Sequence, residues 1–514
     1  MKASLKDFTQ HSLYAAGVAA LALWGTLPPG FAQTSPAPRP IIAVLPLANS
    51  SGDASQEFFA EGMTDEIAVA LSGIQGLDVV ARSSAFRFKE PGPDLKAVGA
   101  ALHADYLLQG AASRADDHVS LNVRLVRASD GTTLLGPTGL TLQSELRNIF
   151  DQEESITRAV ANALKLPLEP GAPLVRSRTA DLDAYVDFLR AKVAARPRGA
   201  QALADAAKIL EPAVMRDPDF APASALLAYV YSLTPLFAPS LRGGMPAVEH
   251  EIVARTIPKA DALARRATAR DPKNAEAFVA LAYANMVQRK MLAAEDAFKQ
   301  AIALNPNQAD GLHGYSQLLA ALGRIKESLA MREHLQAGEQ FIINYTADTA
   351  EIFWLAGDTD KAIAMLKPFA PGRTLELALV EASAGNYREA ATAVRQMPPT
   401  SYPPGMTEAA AKILDSAPAK SAAPADLPRL GNLSFAFMHV GAPERVLEFY
   451  EDEVRADYFQ PISTTWFWHP TYAAVRQTAR FKTLARDLGL VEYWRARGWP
   501  AQCRPTDGDD FVCQ

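Results

Sequence analysis

The chain has 514 residues, more than one hydrophobic core accommodates, so two or more structural units are expected. Hydrophobic residues make up 49% and charged residues 21%, the balance of a folded protein rather than a disordered one. The formal net charge is -6, and no long basic block offsets it, which argues against a nucleic-acid partner.

The first elements concern export. Lys2 and Lys6 precede an apolar run from Leu13 to Leu27, followed by Pro28, Pro29 and Gly30-Phe31-Ala32. A spanning helix needs roughly 20 residues, so this shorter run predicts a secretory signal peptide over 1–32, cleaved after Ala32. The alternative is an uncleaved anchor with its basic end in the cytoplasm. Either predicts a periplasmic or otherwise exported chain. Residues 33–40 are a stiff, proline-containing spacer.

Residues 41–167 predict an α/β domain, a mixed sheet with covering helices. Ile41 to Leu47 reads as a buried strand, and Gln56 to Ser72 as a helix with Phe59, Met63, Ile67 and Leu71 on one side. A strand follows at Leu77 to Ala81, a helix at Leu95 to Leu102 and a strand at Tyr106 to Ala112. Val119, Leu121, Val123 and Leu125 alternate with polar residues, the clearest strand pattern in the chain. Asp130-Gly131 predicts a hairpin turn into a strand at Thr132 to Leu135. Ile149, Ile156, Val160 and Leu164 predict a closing helix. Residues 168–179 read as a linker.

Residues 180–398 predict an all-α solenoid. Asp271-Pro272 and Asn305-Pro306 lie 34 residues apart. Between them, Phe278, Leu281 and Ala282 face Ala294, Phe298 and Ala301 as two antiparallel helices would require, and Pro306 stops the second. This segment resembles the tetratricopeptide repeat, departing at Asn285 and Lys290, where that repeat commonly has an aromatic and a glycine. Gly323, Gly357 and Gly385 continue the register, and Asp217-Pro218 ends an earlier unit. An insertion of about 20 residues, Thr234 to Ala254, is expected to loop out between helices. Residues 399–428, rich in proline and alanine, read as a linker. Residues 429–514 read as a helical cap, in which Trp466, Phe467, Trp468, Tyr493, Trp494 and Trp499 cover the open end of the solenoid. Cys503 and Cys513 are the two cysteines. In an exported chain a disulfide between them is expected, with free thiols in a frayed tail as the alternative. Two thiols without a nearby histidine predict no metal site.

Ile42-Ala43-Val44-Leu45-Pro46, Phe58-Phe59-Ala60-Glu61-Gly62-Met63-Thr64-Asp65-Glu66 and Leu77-Asp78-Val79-Val80-Ala81-Arg82 resemble the TolB-amino-terminal-like domain. The tail, with His469-Pro470, Arg480-Phe481, Gly489 to Trp494 and Gly498-Trp499-Pro500, resembles the end of bacterial proteins that join this domain to tetratricopeptide repeats. The resemblance covers nearly all of 41–514. In such proteins an adenylate cyclase or CadC-like winged-helix domain often stands upstream. Here about a dozen residues precede the apolar run, which implies the non-catalytic portion.

The sequence holds no phosphate loop, dinucleotide fingerprint, nucleophile elbow or HExxH pair, and its eight histidines are scattered. Glu57, Glu61, Asp65 and Glu66 read as acids favoured in a helix's first turns, with Gly62 and Thr64 as a helix break or start. Ser83-Ser84 reads as a polar strand exit. No cofactor is expected. In this repeat class the first helix of each pair lines the concave face. The register places Glu276, Val279 and Tyr283 there, then Asp310, His313 and Gln317, then Asn344 and Glu351, with Tyr229 equivalent to Tyr283. This acidic and aromatic surface predicts an exported, non-enzymatic scaffold for a protein or peptide partner. A sensor of a small ligand is the second expectation, and a cyclase-related enzyme the third.

Overall fold

The computed structural model describes residues 39–514 except 90, 91, 93, 137, 176, 177, 239–244, 339–342, 370–373, 399–401, 419–425 and 461–463. The predicted export run and the Ala32 cleavage position lie outside the described residues. Residues 40–514 form one compact unit. Among the described residues, no helix is long and apolar enough to cross a membrane.

A small mixed sheet opens the unit. Its strands are β1 (Ile41–Val44), β2 (Ala48–Asn49), β3 (Asp78–Val79), β4 (Tyr106–Ala115), β5 (His118–Arg127) and β6 (Leu140–Glu145). The order is β3-β1-β4-β5-β6, with β2 also paired to β4. β1 runs parallel to β3 and β4, whereas β4, β5 and β6 are antiparallel. The parallel pairs arise because helices cross between those strands: α1 (Glu57–Ser72), the short α2 (Arg82–Ala85) and α3 (Leu95–Leu102). Ile42 and Val44 face a core shared with α1 and α4 (Ile149–Ala163), while Ala43 and Leu45 face α3 through Val98 and Leu102.

Three local expectations are corrected. Thr132 to Leu135 forms only a bridge from Thr133 to Val126; the edge strand is β6. Gly131, Gly136 and Gly139 all have positive φ and interrupt the segment before it. Ser83 and Ser84 belong to α2 rather than to a strand exit. Finally, α1 runs unbroken through Gly62 and Thr64. Gly62 is there because α5 (Leu182–Ala195) lies on it: a Cβ at Gly62 would stand 2.9 Å from Leu189 Cβ.

α5 begins a series of helical hairpins. It packs on α6 (Ala200–Arg216), α7 (Ala221–Leu233) on α8 (Pro246–Arg270), α9 (Ala275–Val287) on α10 (Met291–Leu304), α11 (Ala309–Ala321) on α12 (Ile325–Gly338), α13 (Ile343–Leu355) on α14 (Thr359–Leu366), and α15 (Thr374–Ser383) on α16 (Tyr387–Arg395). The Asx-Pro turns that marked the register are built alike. Asp217, Asp271 and Asn305 each accept a hydrogen bond from the backbone N–H two residues on, at 3.0, 3.1 and 3.1 Å. Within the hairpins, Gly323 and Gly357 hold left-handed turns at φ +82 and +96. The equivalent position one period earlier is Arg289, at φ +61, so the residue standing for glycine is Arg289 and not Lys290.

The expected insertion is not a loop. Most of its described length becomes the start of α8, a 25-residue helix. The predicted 399–428 linker likewise contains a helix, α17 (Met406–Asp415). Beyond it, 3-10 turns at Gly431–His439 and Pro443–Val446 lead into α18 (Leu447–Arg455), with Gly441 between them at φ +76.

The aromatic tail does not close the open end of the series. It folds back along the C-terminal ends of first helices in the middle of it. Tyr458 donates to the Ser232 carbonyl at 3.3 Å, the Phe459 N–H to Val287 at 3.1 Å, Trp468 to Ala321 at 2.9 Å and Trp494 to Leu322 at 3.1 Å. Helix ends leave carbonyls without intrahelical partners, and these donors meet them at α7, α9 and α11. His469 stacks on Trp354 at 4.1 Å. Cys503 and Cys513 are joined by a disulfide across the hairpin β7 (Cys503–Pro505) and β8 (Phe511–Cys513), and Phe511 packs against Trp494 and Trp499.

The close approach at Gly62 sets a test. Gly→Ala in a free helix gains roughly 1 kcal/mol, yet Gly62→Ala is expected to lower stability, and Gly62→Leu to cost about 1–3 kcal/mol through overpacking. Urea unfolding of both variants reads this; a stabilised Gly62→Ala would show that α1 and α5 do not meet here.

Candidate functional site

A cavity of about 440 Å³ lies where the α/β layer meets the first helices of the repeats. That is within the roughly 300–1,000 Å³ common for ligand sites. α1 contributes Asp65, Ala68 and Val69, α2 contributes Arg82, and α5 contributes Phe188 and Lys192. Arg196 and Arg198 come from the loop after α5. Tyr229 of α7, Glu276 and Val279 of α9, Asp310 of α11 and Tyr345 of α13 form the opposite wall.

The acids of α1 are pinned by cations rather than poised for proton transfer. Asp65 accepts from Arg82 and from Arg196, the latter at 2.7 Å. Glu61 pairs with Arg196 and with Lys89 at 2.7 Å. Glu66 pairs with Lys192 at 2.7 Å, and Lys192 reaches Glu276 at 3.5 Å. Burial pushes the Glu66 carboxyl up, against the pull of Lys192. Burial would lower Lys192, but Glu276 and Glu66 outweigh it and hold the ammonium above its ordinary value. Lys192 thus ties the α/β layer to the third repeat helix pair as a fixed charge.

At the centre of the opposite wall, Arg198 Nη2 donates to Asp310 Oδ1, to the Tyr229 hydroxyl at 3.2 Å and to the Tyr345 hydroxyl at 3.1 Å. Both tyrosines donate onward to Asp310 Oδ1, at 2.9 and 2.7 Å. Burial raises the Tyr229 and Tyr345 hydroxyls well above their usual value, so both remain donors at neutral pH. Burial opposes the Arg198 charge, and Tyr229, Tyr345 and Asp310 more than offset it.

The structure divides the predicted groove residues. Tyr229, Glu276, Val279 and Asp310 come together on the cavity. Tyr283, His313 and Glu351, expected on an open face, are only 3, 5 and 2% exposed. Close helix approach and the folded-back tail cover them. Tyr283 lies edge-on between Tyr229 and Phe298, with centroids 5.1 and 5.6 Å away, in space that Gly314 leaves free. His313 lies tilted against Tyr345, with ring centroids 4.4 Å apart, and meets Arg332 Nη1 at 2.9 Å. Glu351 accepts from Thr465 of the tail. Gln317 is half-buried and donates to Asp348 at 3.0 Å. The side chain of Asn344 lies outside the described residues. Sequence reasoning did not single out Arg198, Lys192, Arg196 or Tyr345. The one local signal was the tight Arg196-Pro197-Arg198-Gly199 turn, which places two arginines beside the inner face.

The site can hold a polar or cationic group between a carboxylate and tyrosine faces, with apolar walls for the remainder of a ligand. Among the described residues, no group of three or more His, Cys, Asp or Glu is placed to hold a metal ion.

No family model matches this chain. A protein of Rhizobium meliloti (strain 1021) named "Putative adenylate cyclase 3" is 33% identical over 208 residues, which are 40% of this chain and 35% of that protein. The chain therefore spans about a third of the length of that curated relative. Among solved structures, a thermophilic TPR protein of Thermus thermophilus is 17% identical over 41% of this chain and 99% of its own, with a TM-score of 0.29. YrrB, described as a TPR protein with an unusual peptide-binding site, is 15% identical over 41% of this chain and 92% of its own, with a TM-score of 0.24. The human IFIT1 dimer with m7Gppp-AAAA is 13% identical over 68% of this chain and 69% of its own, with a TM-score of 0.38. Likenesses this loose carry nothing on function. The helical-repeat architecture rests on the chain's own hairpins and their common turns.

Burial of Glu351 beneath the tail has a pH consequence. Burial lifts its carboxyl to about 8. The folded state then holds a proton that the unfolded chain releases near its ordinary value of 4.5. This stabilisation is complete below that value and is lost as pH rises towards about 8. Glu351→Gln, which keeps the shape but does not titrate, is expected to lose less melting temperature between pH 5 and pH 8.5 than the wild type. Identical pH profiles would show that Glu351 is not buried in its neutral form.

Proposed function

We propose that this chain is an exported, non-enzymatic scaffold. A TolB-like α/β layer braces tetratricopeptide-like repeats, and the inner face beside the shared cavity receives a protein or peptide partner. The observation that carries this reading is convergence: side chains from α1, α5, α7, α9, α11 and α13 meet around one cavity. Glu276 and Gln317 remain partly exposed along the inner face as hydrogen-bonding groups for an extended segment. Export is supported by the apolar run at Leu13 to Leu27 and by the Cys503–Cys513 disulfide, a bond that persists in oxidising compartments. The acidic set on α1 gives no support to acid–base chemistry, because each of Glu61, Asp65 and Glu66 is ion-paired.

The size and mixed walls of the cavity also favour a second reading, a sensor in which a small ligand binds at the same junction.

Affinity capture from an envelope extract, with the full chain as bait, tests the scaffold. A specific partner is expected, and Glu276→Gln combined with Gln317→Ala should release it; because Glu276 also pairs with Lys192, the melting temperature of the variant is measured alongside to show that it stays folded. If every captured protein survives the double substitution, the inner face is not the binding surface. The relative's name motivates a separate assay. The purified chain with ATP and Mn²⁺ is expected to form no cyclic nucleotide, and robust turnover would overturn the non-enzymatic reading.

A further inference from the structure

Arg198 sits where a ligand would sit. It belongs to the loop joining α5 to α6, and its backbone takes φ +49, a left-handed conformation uncommon outside glycine. Gly199 follows at φ +131. Residues held in such sparsely populated regions concentrate at ligand clamps and switches. This turn carries the side chain across the cavity to Asp310, Tyr229 and Tyr345, three residues from three hairpins other than its own. Its guanidinium carbon lies 5.3 Å from the centre of the Tyr345 ring.

A carboxylate flanked by tyrosine hydroxyls and a tyrosine face is an arrangement that suits a planar guanidinium. Such a cation hydrogen-bonds in its plane and stacks on aromatic rings, which a compact ammonium does less well. The hydrogen bonds from Arg198 into this site come from Nη2 alone. Among the described residues, Asp310 accepts side-chain hydrogen bonds from Arg198, Tyr229 and Tyr345 on Oδ1, and it keeps 30% of its side chain exposed. Arg198, Tyr229, Asp310 and Tyr345 all line the cavity of about 440 Å³.

We infer that Asp310, Tyr229 and Tyr345 form a guanidinium-binding site, and that Arg198 is an internal plug which an arginine side chain of a bound peptide displaces. The inference rests on the proposal that the inner face receives a partner, and it names the chemistry of the residue recognised. A plug that occupies the site most of the time lowers the apparent affinity for the competing ligand by the fraction of time the site is open.

The probe is acetyl-Gly-Arg-Gly-amide, whose only charge is the guanidinium, titrated calorimetrically into the full chain. Arg198→Ala is expected to bind it about tenfold or more tightly than the wild type. The matching Lys peptide should bind at least several-fold more weakly than the Arg peptide, and Asp310→Asn added to Arg198→Ala should abolish binding. Arg198→Met, which keeps the apolar stem without the charged head, is the second variant should Arg198→Ala fail to fold. If a folded variant binds no better than the wild type, or if Asp310→Asn leaves binding intact, the assignment is overturned. If neither variant folds, Arg198 is a structural keystone and not a displaceable plug, and the inference fails. The scaffold reading is independent of this result: partner capture that depends on Glu276 and Gln317 can persist when the arginine peptide does not bind. Peptide binding without a captured partner would sink the scaffold reading alone.

Discussion

The contact between α1 and α5 governs the arrangement of everything around it. α1 lies on the sheet, α5 is the first helix of the repeats, and the two meet at Gly62, where the absence of a side chain admits Leu189. On either side of that apolar contact, Glu61 and Asp65 hold Arg196, and Glu66 holds Lys192. Tyr185 of α5 donates to the buried Glu153 of α4, adding a polar tie deeper in the core. Partly buried ion pairs of this kind add modestly to stability but restrict geometry, since removing one partner leaves a desolvated charge. The α/β layer and the repeats are therefore joined in a defined orientation, with the cavity between them.

A second constraint acts from the far side. The tail runs across the ends of α7, α9 and α11 and supplies donors to carbonyls that helix geometry leaves unpaired. Repeats of this type interact mainly with their neighbours, and one segment that bonds to several of them in turn couples units that would otherwise flex separately. Glu295 shows how firmly the tail is held. It is fully buried, yet hydrogen bonds from Lys299, Arg324 and Tyr493 hold its carboxyl down at about 2, so it stays ionised within this interface. The disulfide across β7 and β8 secures the end of the strap, and Arg476 donates to the Gln514 carbonyl oxygen from two of its nitrogens.

These two constraints account for where binding groups are exposed. The tail covers the inner face around Glu351, and close helix packing closes it around Tyr283 and His313. The opening that survives lies under the α/β layer, where acidic and aromatic side chains from the repeats face cations from α5 and its loop. Polar and aromatic side chains that line a cavity are thus concentrated at the junction of the two parts of the chain, a common place for ligand sites. They are not spread evenly along a groove.

The sequence by itself determined the class of each part. Period-2 alternation marked β5, and recurring Asx-Pro turns and left-handed glycines marked the hairpins, because these signals depend on local backbone geometry and nearest-neighbour burial. The resemblance to the tetratricopeptide repeat implied an inward-facing first helix in each pair, and the structure brings Tyr229, Glu276 and Asp310 together on one cavity. Only the tertiary structure decided whether that surface was open. The destination of the aromatic tail, the close approach at Gly62 and the insertion of Arg198 among Asp310, Tyr229 and Tyr345 all depend on contacts between residues far apart in the chain. A tryptophan reads the same whether it covers the last repeat or bonds to carbonyls in the middle of the series. An arginine in a tight turn reads as solvated until the fold shows which carboxylate lies across from it.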